Sequence, residues 1–277
     1  MLTRYSANPS DVKTYTTQQL KDEFLVDELF EPSAIKIVYS HIDRTVAMGI
    51  TPTEEPLVLQ DWINNKSFGT EFFLERRELG LACLSGSVCI QVDEQTYNLK
   101  ALDVLYVGLG SKHIEISRTD GEACVYGLSA PAHKALPSKL VKQQDAKVVE
   151  LGSLETSNKR VINQYLHPDV LETCQLCLGI THLAPGSVWN TMPAHTHERR
   201  MEAYLYFNVK PEQAVFHMMG EPTETRHIVV RDKQLVLSPS WSIHSGCGTQ
   251  NYSFVWGMLG ENQTFDDMDF IPMDTLA

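Results

Sequence analysis

Short runs of β-branched, aromatic and leucine residues recur along the chain, each separated from the next by glycine or proline. Many short strands between turn residues predict an all-β barrel or sandwich. Helical periodicity is confined to short pieces such as residues 17–25, which carry a threonine suited to cap a helix. The clearest predicted strands are residues 87–92, 104–107, 125–128, 203–207, 228–230, 235–237 and 252–256.

The strand pattern is interrupted once, around residues 132–140, where a proline lies among residues with little strand tendency and a polar stretch follows. Such a break is typical of a connection between domains. The sequence therefore predicts an N-terminal barrel over residues 1–135, a linker over 136–160 and a C-terminal barrel over 161–277.

An internal repeat supports two copies of one fold. The tripeptide Glu-Arg-Arg occurs at residues 75–77 and again at 198–200. Further along each half, residues 104–108 precede His113 by the interval at which residues 236–239 precede His244. Two echoes in the same order indicate duplication of one barrel.

The second copy carries residues that suit a metal ion. His195 and His197 alternate along a predicted strand, so their imidazoles lie on one face, about 6.6 Å apart along the chain. A turn or bulge over residues 198–200 would return the chain as the adjacent strand and bring Glu202 inward. His244 then completes the set from a distant strand. Imidazole nitrogens with one carboxylate suit zinc, manganese, iron or nickel.

The first copy lacks this set of ligands. The repeat aligns Phe72, Leu74 and Leu79 with the first three ligands, and His113 with the fourth. One histidine among apolar side chains cannot hold an ion firmly. We therefore expect the N-terminal barrel to have a packed interior without a metal site.

Composition limits the other possibilities. The formal net charge of −12 argues against a nucleic-acid partner, because phosphate binding requires basic patches. No apolar run is long enough to span a bilayer, and the N-terminus lacks the apolar core of a signal peptide. The six cysteines lie mostly singly in apolar runs, as reduced core residues do. These observations predict a cytoplasmic protein without a membrane partner.

The motif and the duplicated barrel resemble the cupin superfamily, specifically a bicupin. Over nearly its whole length the chain is similar to the 5-keto-4-deoxyuronate isomerase family of pectin and uronate breakdown. The segments that carry this resemblance are YSHIDR at 39–44, FLERRELG at 73–80, PDVLETCQL at 168–176, NTMPAHTHERRME at 190–202, FHMMG at 216–220 and SPSWSIHSG at 238–246.

The resemblance implies two tandem cupin barrels, one zinc ion per subunit held by His195, His197, Glu202 and His244, a homohexamer and an anionic sugar-acid substrate. It also implies an aldose–ketose isomerisation, which needs a general base and a cation for the substrate carboxylate. Residue types and strand parity leave several candidates for these roles. The candidates for the base are Glu198, Tyr204, Tyr206 and a hydroxide on the metal; those for substrate binding are Arg160, Arg199, Arg200 and Trp241.

Two other functions are compatible with the same motif. A cupin dioxygenase would use iron on the same ligands and would consume oxygen. A non-catalytic bicupin that binds sugar acids would use the ion structurally, as a closed four-ligand tetrahedron does.

Overall fold

The computed structural model describes residues 1–261, 264 and 266–277 of the chain. The helix over Thr17–Phe24 begins with a capping box, in which the Gln19 amide donates to the Thr16 hydroxyl and the Gln19 side chain accepts from the Thr16 amide. None of the described helices is long and apolar enough to cross a bilayer. The helices are α1 (Pro9–Val12), α2 (Thr17–Phe24) and α3 (Asn65–Phe68), with 3-10 turns at Leu59–Trp62, Phe73–Glu75 and Gln143–Asp145.

Strands dominate the described chain, as the sequence predicts. In the first half they are β1 (Leu2–Arg4), β2 (Leu25–Val26), β3 (Ala34–Ser40), β4 (Val46–Thr51), β5 (Leu57–Val58), β6 (Arg77–Val92), β7 (Gln95–Lys100), β8 (Val104–Val107), β9 (Ile114–Pro131) and β10 (Lys139–Val141). In the second half they are β11 (Lys147–Leu151), β12 (Arg160–Leu166), β13 (Cys177–Leu183), β14 (Trp189–Asn190), β15 (His195–Thr196), β16 (Arg200–Phe207), β17 (Val215–Glu221), β18 (Glu224–Val230), β19 (Leu235–Ser238), β20 (Ser245–Gly248), β21 (Ser253–Gly260) and β22 (Asp269–Phe270).

The chain forms two compact units. Unit 1 comprises residues 1–4, 29–147 and 165–177, and unit 2 comprises residues 5–28, 148–164 and 178–277. These units differ from the predicted boundaries, because residues 5–28 cluster with the later half. Residues 136–160, predicted as a linker, contain strands β10 and β11, which pair with β8 and β12. Edge strands this short leave almost no periodic signal in the sequence.

Unit 1 is built on a nine-stranded sheet with the order β1-β3-β4-β9-β6-β8-β10, to which β5 and β7 add on β9 and β6. Register shifts between Cys83 and Val88 bend the long strand β6, so its first part pairs with β8 and its last part with β7. The curved sheet encloses an apolar cluster that includes Leu74, Leu79 and Leu81. This interior is packed, as the repeat predicts.

Unit 2 has a seven-stranded sheet (β11-β12-β13-β21-β16-β19-β2), a four-stranded sheet (β14-β20-β17-β18) and the short pair β15-β22. Every residue of β16 is buried. Along its length Glu202, Tyr204 and Tyr206 share one face, because strand side chains alternate. That face is polar, which sets the interior of unit 2 apart from that of unit 1.

The predicted strands agree with the observed ones, since each of the seven lies within or overlaps a strand of the structure. Cys174 lies in a bend before β13, which begins at Cys177. None of the six cysteines forms a disulfide.

Candidate metal centre

Four buried side chains of unit 2 meet at one point. One donor atom from each of His195, His197, Glu202 and His244 lies within 4.8 Å of the other three. Nε2 of His244 is 2.9 Å from Nε2 of His195 and 3.0 Å from a Glu202 carboxylate oxygen. Nε2 of His197 is 3.1 Å from the same oxygen. The sequence placed these four residues together, and the structure brings them together.

Local structure explains how the four converge. His195 lies on β15, and a turn at residues 198–199 closed by the Arg200 amide and the His197 carbonyl leads into β16, which carries Glu202. His244 lies just before β20, after a turn in which the Ser242 amide donates to the Pro239 carbonyl. One detail differs from expectation, because β15 pairs with β22 rather than with β16.

The hydrogen bonds of the outer ring nitrogens show why a cation fits this cluster. Nδ1 of His197 lies 2.9 Å from the Arg200 carbonyl, and Nδ1 of His244 lies 3.3 Å from the Ser242 carbonyl. Each Nδ1 therefore carries the proton, and each Nε2 directs a lone pair at the Glu202 carboxylate. An ion with bonds of about 2.0–2.2 Å in a tetrahedron sets its ligand atoms about 3.4 Å apart, close to the observed spacing.

The protonation states of His195 and Glu202 favour the binding of a cation. Burial, followed by the neighbouring His244, lowers the pKa of His195 to about 2. Burial alone would raise the pKa of Glu202, but positive charge at the neighbouring His244 and His197 reverses this and holds the pKa below its usual value. A metal ion at the same nitrogens would supply that positive charge while the rings stay neutral. The imidazole is then neutral and the carboxylate charged at physiological pH, which are the forms that bind a metal ion.

A cavity of about 310 Å³ opens beside the cluster, and His195 and Glu202 form part of its wall. This volume lies at the lower end of the range for small-molecule sites. The described residues that line it are Leu151, Arg160, Ile162, Thr181, Thr191, Met192, Pro193, His195, Glu202, Tyr204, Phe254, Trp256, Met258, Asp266, Met268 and Phe270. A mainly apolar wall with a few convergent polar groups is the usual form of a ligand site.

Tyr204 is the one predicted catalytic candidate in this lining. Its hydroxyl lies 3.3 Å from the Thr191 hydroxyl, and its ring lies 5.6 Å from that of His244. Burial and the nearby Glu202 carboxylate raise the pKa of Tyr204 well above its ordinary value. A neutral phenol is able to donate a hydrogen bond.

The other two base candidates are absent from the described lining. Tyr206 lies deeper, and its hydroxyl is 2.7 Å from Nδ1 of the buried His217. Glu198 is exposed, in the turn between β15 and β16. Strand parity correctly predicts that Tyr204 and Tyr206 share one face, but of the two only Tyr204 belongs to the described cavity wall.

Arg160 is the substrate-binding candidate that reaches the cavity. It is half-buried, and Nη1 donates to the Asn158 carbonyl at 2.9 Å. Burial lowers its pKa, while Tyr204 and Tyr252 oppose this effect. The guanidinium stays protonated throughout the physiological range and can meet a carboxylate.

The remaining candidates have other contacts. Arg199 binds the carboxylates of Asp267 and Asp269, at 2.6 Å and 3.0 Å. Arg200 is completely buried, and one of its nitrogens lies 3.4 Å from the Asp267 carbonyl. Trp241 packs edge-on against Phe24, with ring centroids 6.3 Å apart. None of these three side chains belongs to the described cavity wall.

Sequence reasoning missed the part of the wall formed by the C-terminal segment, namely Asp266, Met268 and Phe270. Strand β22 in this segment pairs with β15, with Phe270 opposite His195, and the two rings lie 5.8 Å apart. A two-residue strand has no measurable periodicity. The cluster of three aspartates at 266, 267 and 269 is the only signal the sequence offered.

Curated relatives match the chain from end to end. It is 52% identical over 268 residues to a 4-deoxy-L-threo-5-hexosulose-uronate ketol-isomerase from Lachnoclostridium phytofermentans, covering 96% of each chain. It is 50% identical over 275 residues to the enzyme of the same name from Escherichia coli strain SE11, covering 99% of each.

Solved structures support the predicted fold. An IolB-like protein from Salmonella typhimurium superposes with a TM-score of 0.73 at 14% identity, covering 90% of this chain and 97% of that one. An oxalate decarboxylase from Bacillus subtilis superposes with a TM-score of 0.57 at 9% identity, covering 79% and 70%. The prediction of two tandem cupin barrels is confirmed. A family model matches residues 27–273, and with the curated relatives it shows that the chain belongs to the KduI/IolB family.

Proposed function

We propose that this chain is a metal-dependent aldose–ketose isomerase, which converts 5-dehydro-4-deoxy-D-glucuronate to 3-deoxy-D-glycero-2,5-hexodiulosonate in uronate breakdown. The observation that carries the proposal is the 52% identity to a curated ketol-isomerase over 96% of the chain. The buried cluster beside an open cavity adds a chemical reason. The open-chain substrate has an aldehyde at C1 and a hydroxyl at C2, and the product has a carbonyl at C2.

We assign the metal to His195, His197, Glu202 and His244. A divalent ion held there would act as a Lewis acid toward the oxygens at C1 and C2, which is worth several kcal/mol of stabilisation as negative charge develops. His195 and Glu202 lie on the cavity wall, so the cluster is accessible from the cavity. This access favours a catalytic ion over a closed structural one.

Arg160 is the group we propose for the substrate carboxylate, because it is the only Arg or Lys in the described wall. A guanidinium binds a carboxylate through two parallel hydrogen bonds, which fixes the orientation of the substrate. Tyr204 then lies on the same wall as the cluster. Its neutral hydroxyl can donate to a substrate oxygen and pass a proton between the oxygens at C2 and C1.

The apolar part of the wall has a role as well. Phe254, Trp256 and Met258 lie on β21, whose residues pair across to Tyr206, Tyr204 and Glu202. These side chains keep water away from the reacting carbons. Excluding water strengthens each polar contact inside the site and protects the enediol from side reactions.

The zinc ion, the homohexamer and the cytoplasmic location are the finer parts of this proposal, and the family resemblance supports them. Elemental analysis of the protein as purified tests the first. Light scattering after gel filtration tests the second, with an expected mass near six times the 31.2 kDa of one chain.

The decisive experiment mixes purified protein with the 4-deoxy-5-keto-uronate and follows loss of the aldehyde, with and without oxygen. We expect conversion at equal rates in both. Chelation should abolish it, and return of the divalent ion should restore it. No conversion by metal-loaded protein would overturn the isomerase, and a rate that requires oxygen would point to a dioxygenase. Full activity after verified metal removal would overturn the role of the metal.

A further inference from the structure

The wall of the cavity contains two carboxylates among its described residues, Glu202 and Asp266. Glu202 is occupied, because one of its oxygens lies 3.0–3.1 Å from the ring nitrogens of both His244 and His197. Asp266 stands outside that cluster and makes no ion pair within the part of the chain that the structure describes. One acid on the wall is therefore available for proton transfer.

The other polar groups of the wall cannot take a proton from carbon. Arg160 is a cation. Tyr204 carries a phenol, which is neutral at physiological pH, and its hydroxyl lies 3.3 Å from that of Thr191. His195 belongs to the metal cluster, and the hydroxyls of Thr181 and Thr191 are very weak bases. An aldose–ketose isomerisation nevertheless needs a base that removes a carbon-bound proton.

The chain holds Asp266 in place through its neighbours. The guanidinium of Arg199 binds both oxygens of the Asp267 carboxylate, at 2.6 Å and 2.7 Å, and an oxygen of Asp269 at 3.0 Å. The Met268 amide donates to the Asp266 carbonyl at 2.9 Å. We refer to the contact of Arg199 with Asp267 and Asp269 as the Arg199 clamp.

A second attachment follows directly. Strand β22 pairs with β15, and the Ile271 amide donates to the Ala194 carbonyl at 3.0 Å. The segment that carries Asp266 is therefore attached to the strand that carries the ligand His195. Both attachments begin beyond Asp266, and they tie the backbone next to it to Arg199 and to the strand of the ligand His195. A catalytic group requires such a constant position relative to the reacting atoms.

We propose that Asp266 is the general base of the isomerisation and that Arg199 is a positioning residue that acts through it. This inference rests on the proposed function. Asp266 takes the proton from C2, the electrons of that C–H bond form the C1–C2 double bond, and the carbonyl electrons move onto the oxygen at C1. Asp266 then returns its proton to C1, while the hydroxyl proton at C2 moves to the oxygen at C1. No oxidant or other reactant is consumed.

The test compares Asp266→Asn with Asp274→Asn in the metal-loaded protein. Asparagine keeps the size of aspartate but cannot accept the proton. Asp266 and Asp274 are both exposed and belong to the same C-terminal segment, but Asp274 is not part of the described cavity wall. We expect Asp266→Asn to lower kcat by about 10²–10⁴-fold, the usual contribution of a general base, with KM and metal content near those of the wild type. The control should keep full activity.

A second readout follows the proton itself. In D₂O the wild-type protein should carry solvent deuterium into C1 of the product, because the acid form of Asp266 exchanges with solvent during turnover. Asp266→Asn should lose this incorporation together with turnover. Asp266→Glu retains a carboxylate and should exceed the asparagine variant by at least about tenfold in kcat.

Several results would overturn the assignment of the base. They are wild-type kcat in Asp266→Asn, an equal loss of activity in Asp274→Asn, and a glutamate variant no better than the asparagine variant. The proposed function fails separately, because it is rejected only if the wild-type protein itself converts no substrate. Conversion by wild type and by Asp266→Asn at the same rate rejects the base alone.

Discussion

Three neighbouring strands have corresponding places in the two units, β9-β6-β8 in unit 1 and β21-β16-β19 in unit 2, but the interiors that they face differ. In unit 1, Leu79 of β6 lies opposite Val107 of β8, and in unit 2, Glu202 of β16 lies opposite Ser238 of β19. These are the pairs that the sequence repeat aligns. The interior of unit 1 is apolar, with Leu79 completely buried in its core cluster. The same frame thus supports either a packed core or a set of ligands, and the side chains alone decide which.

Each unit contains a buried glutamate, and the groups around the two carboxylates differ. Glu78 of unit 1 is fully buried and accepts hydrogen bonds from the amides of residues 174–176 and from the Tyr106 hydroxyl, at 2.7–2.8 Å. Donors satisfy this carboxylate, so it needs no cation. Glu202 instead faces the lone pairs of His197 and His244. A buried acid among acceptors indicates a metal site, and a buried acid among donors indicates a structural role.

The largest expected effect tests which unit holds the ion. His197→Ala removes one of four ligands and should reduce bound metal and activity to near zero. His113→Ala should leave both unchanged, because the His113 side chain is 43% exposed and lies 3.9 Å from Glu115. Elemental analysis of the amount of metal per chain shows which unit holds the ion. Equal losses in the two variants would mean that the ion lies elsewhere.

The next prediction tests the packed interior of unit 1. Leu79→Ala should lower the free energy of unfolding by about 2–5 kcal/mol, because a fully buried leucine leaves a cavity behind. Metal content should not change. Urea unfolding followed by circular dichroism gives the free energy. A loss below about 1 kcal/mol would show that the unit 1 interior is loosely packed.

Replacing Arg160, the cationic side chain in the cavity wall, should have a smaller effect on activity. Arg160→Met should raise KM by about 10–100-fold, the equivalent of losing a charged hydrogen-bonded pair worth about 1.5–3 kcal/mol. Metal content should stay the same. Arg118→Met, at an exposed position in unit 1, is the matched control and should behave as wild type. An unchanged KM in Arg160→Met would remove this residue from carboxylate binding.

The smallest effect concerns two arginines at equivalent positions of the repeat. Arg199 forms the clamp on Asp267 and Asp269, whereas the Arg76 side chain is 68% exposed and lies 3.9 Å from Glu75. Arg199→Ala should lower kcat about tenfold with little change in KM, because Asp266 loses its fixed position. Arg199→Lys should recover part of this loss. Arg76→Ala should have no effect, and equal changes in the two alanine variants would reject the clamp.

The sequence predicted the strands and the four clustered residues because their signals are local and repeated. Histidines two apart on a strand, and a repeat with known offsets, locate His195, His197, Glu202 and His244 without any tertiary information. The all-β class follows from many runs of the same kind. Turn residues on both sides define a short run well, so β8 was predicted with its observed bounds, whereas only residues 87–92 of β6 and 125–128 of β9 were predicted.

The sequence could not predict contacts between short and distant segments. Strand β22 meets β15 across more than 70 positions through only two pairs of residues. For the same reason, the sequence did not predict that β19 pairs with Leu25–Val26 as well as with β16. The sequence also cannot distinguish an arginine that binds a substrate from one that binds a neighbouring carboxylate. The contact of Arg199 with Asp267 is therefore known only from the structure.

Strand β2 affects whether the second barrel could be encoded by a separate gene fragment. Leu25 and Val26 complete the edge of the seven-stranded sheet of unit 2 by pairing with Val236 and Leu235. A protein that contained only residues 161–277 would expose the backbone N–H and C=O groups of β19 along that edge. Exposed edge strands favour aggregation. The second repeat therefore cannot be cut out and recombined as an independent module. The later barrel therefore depends on a strand that is encoded ahead of the earlier one.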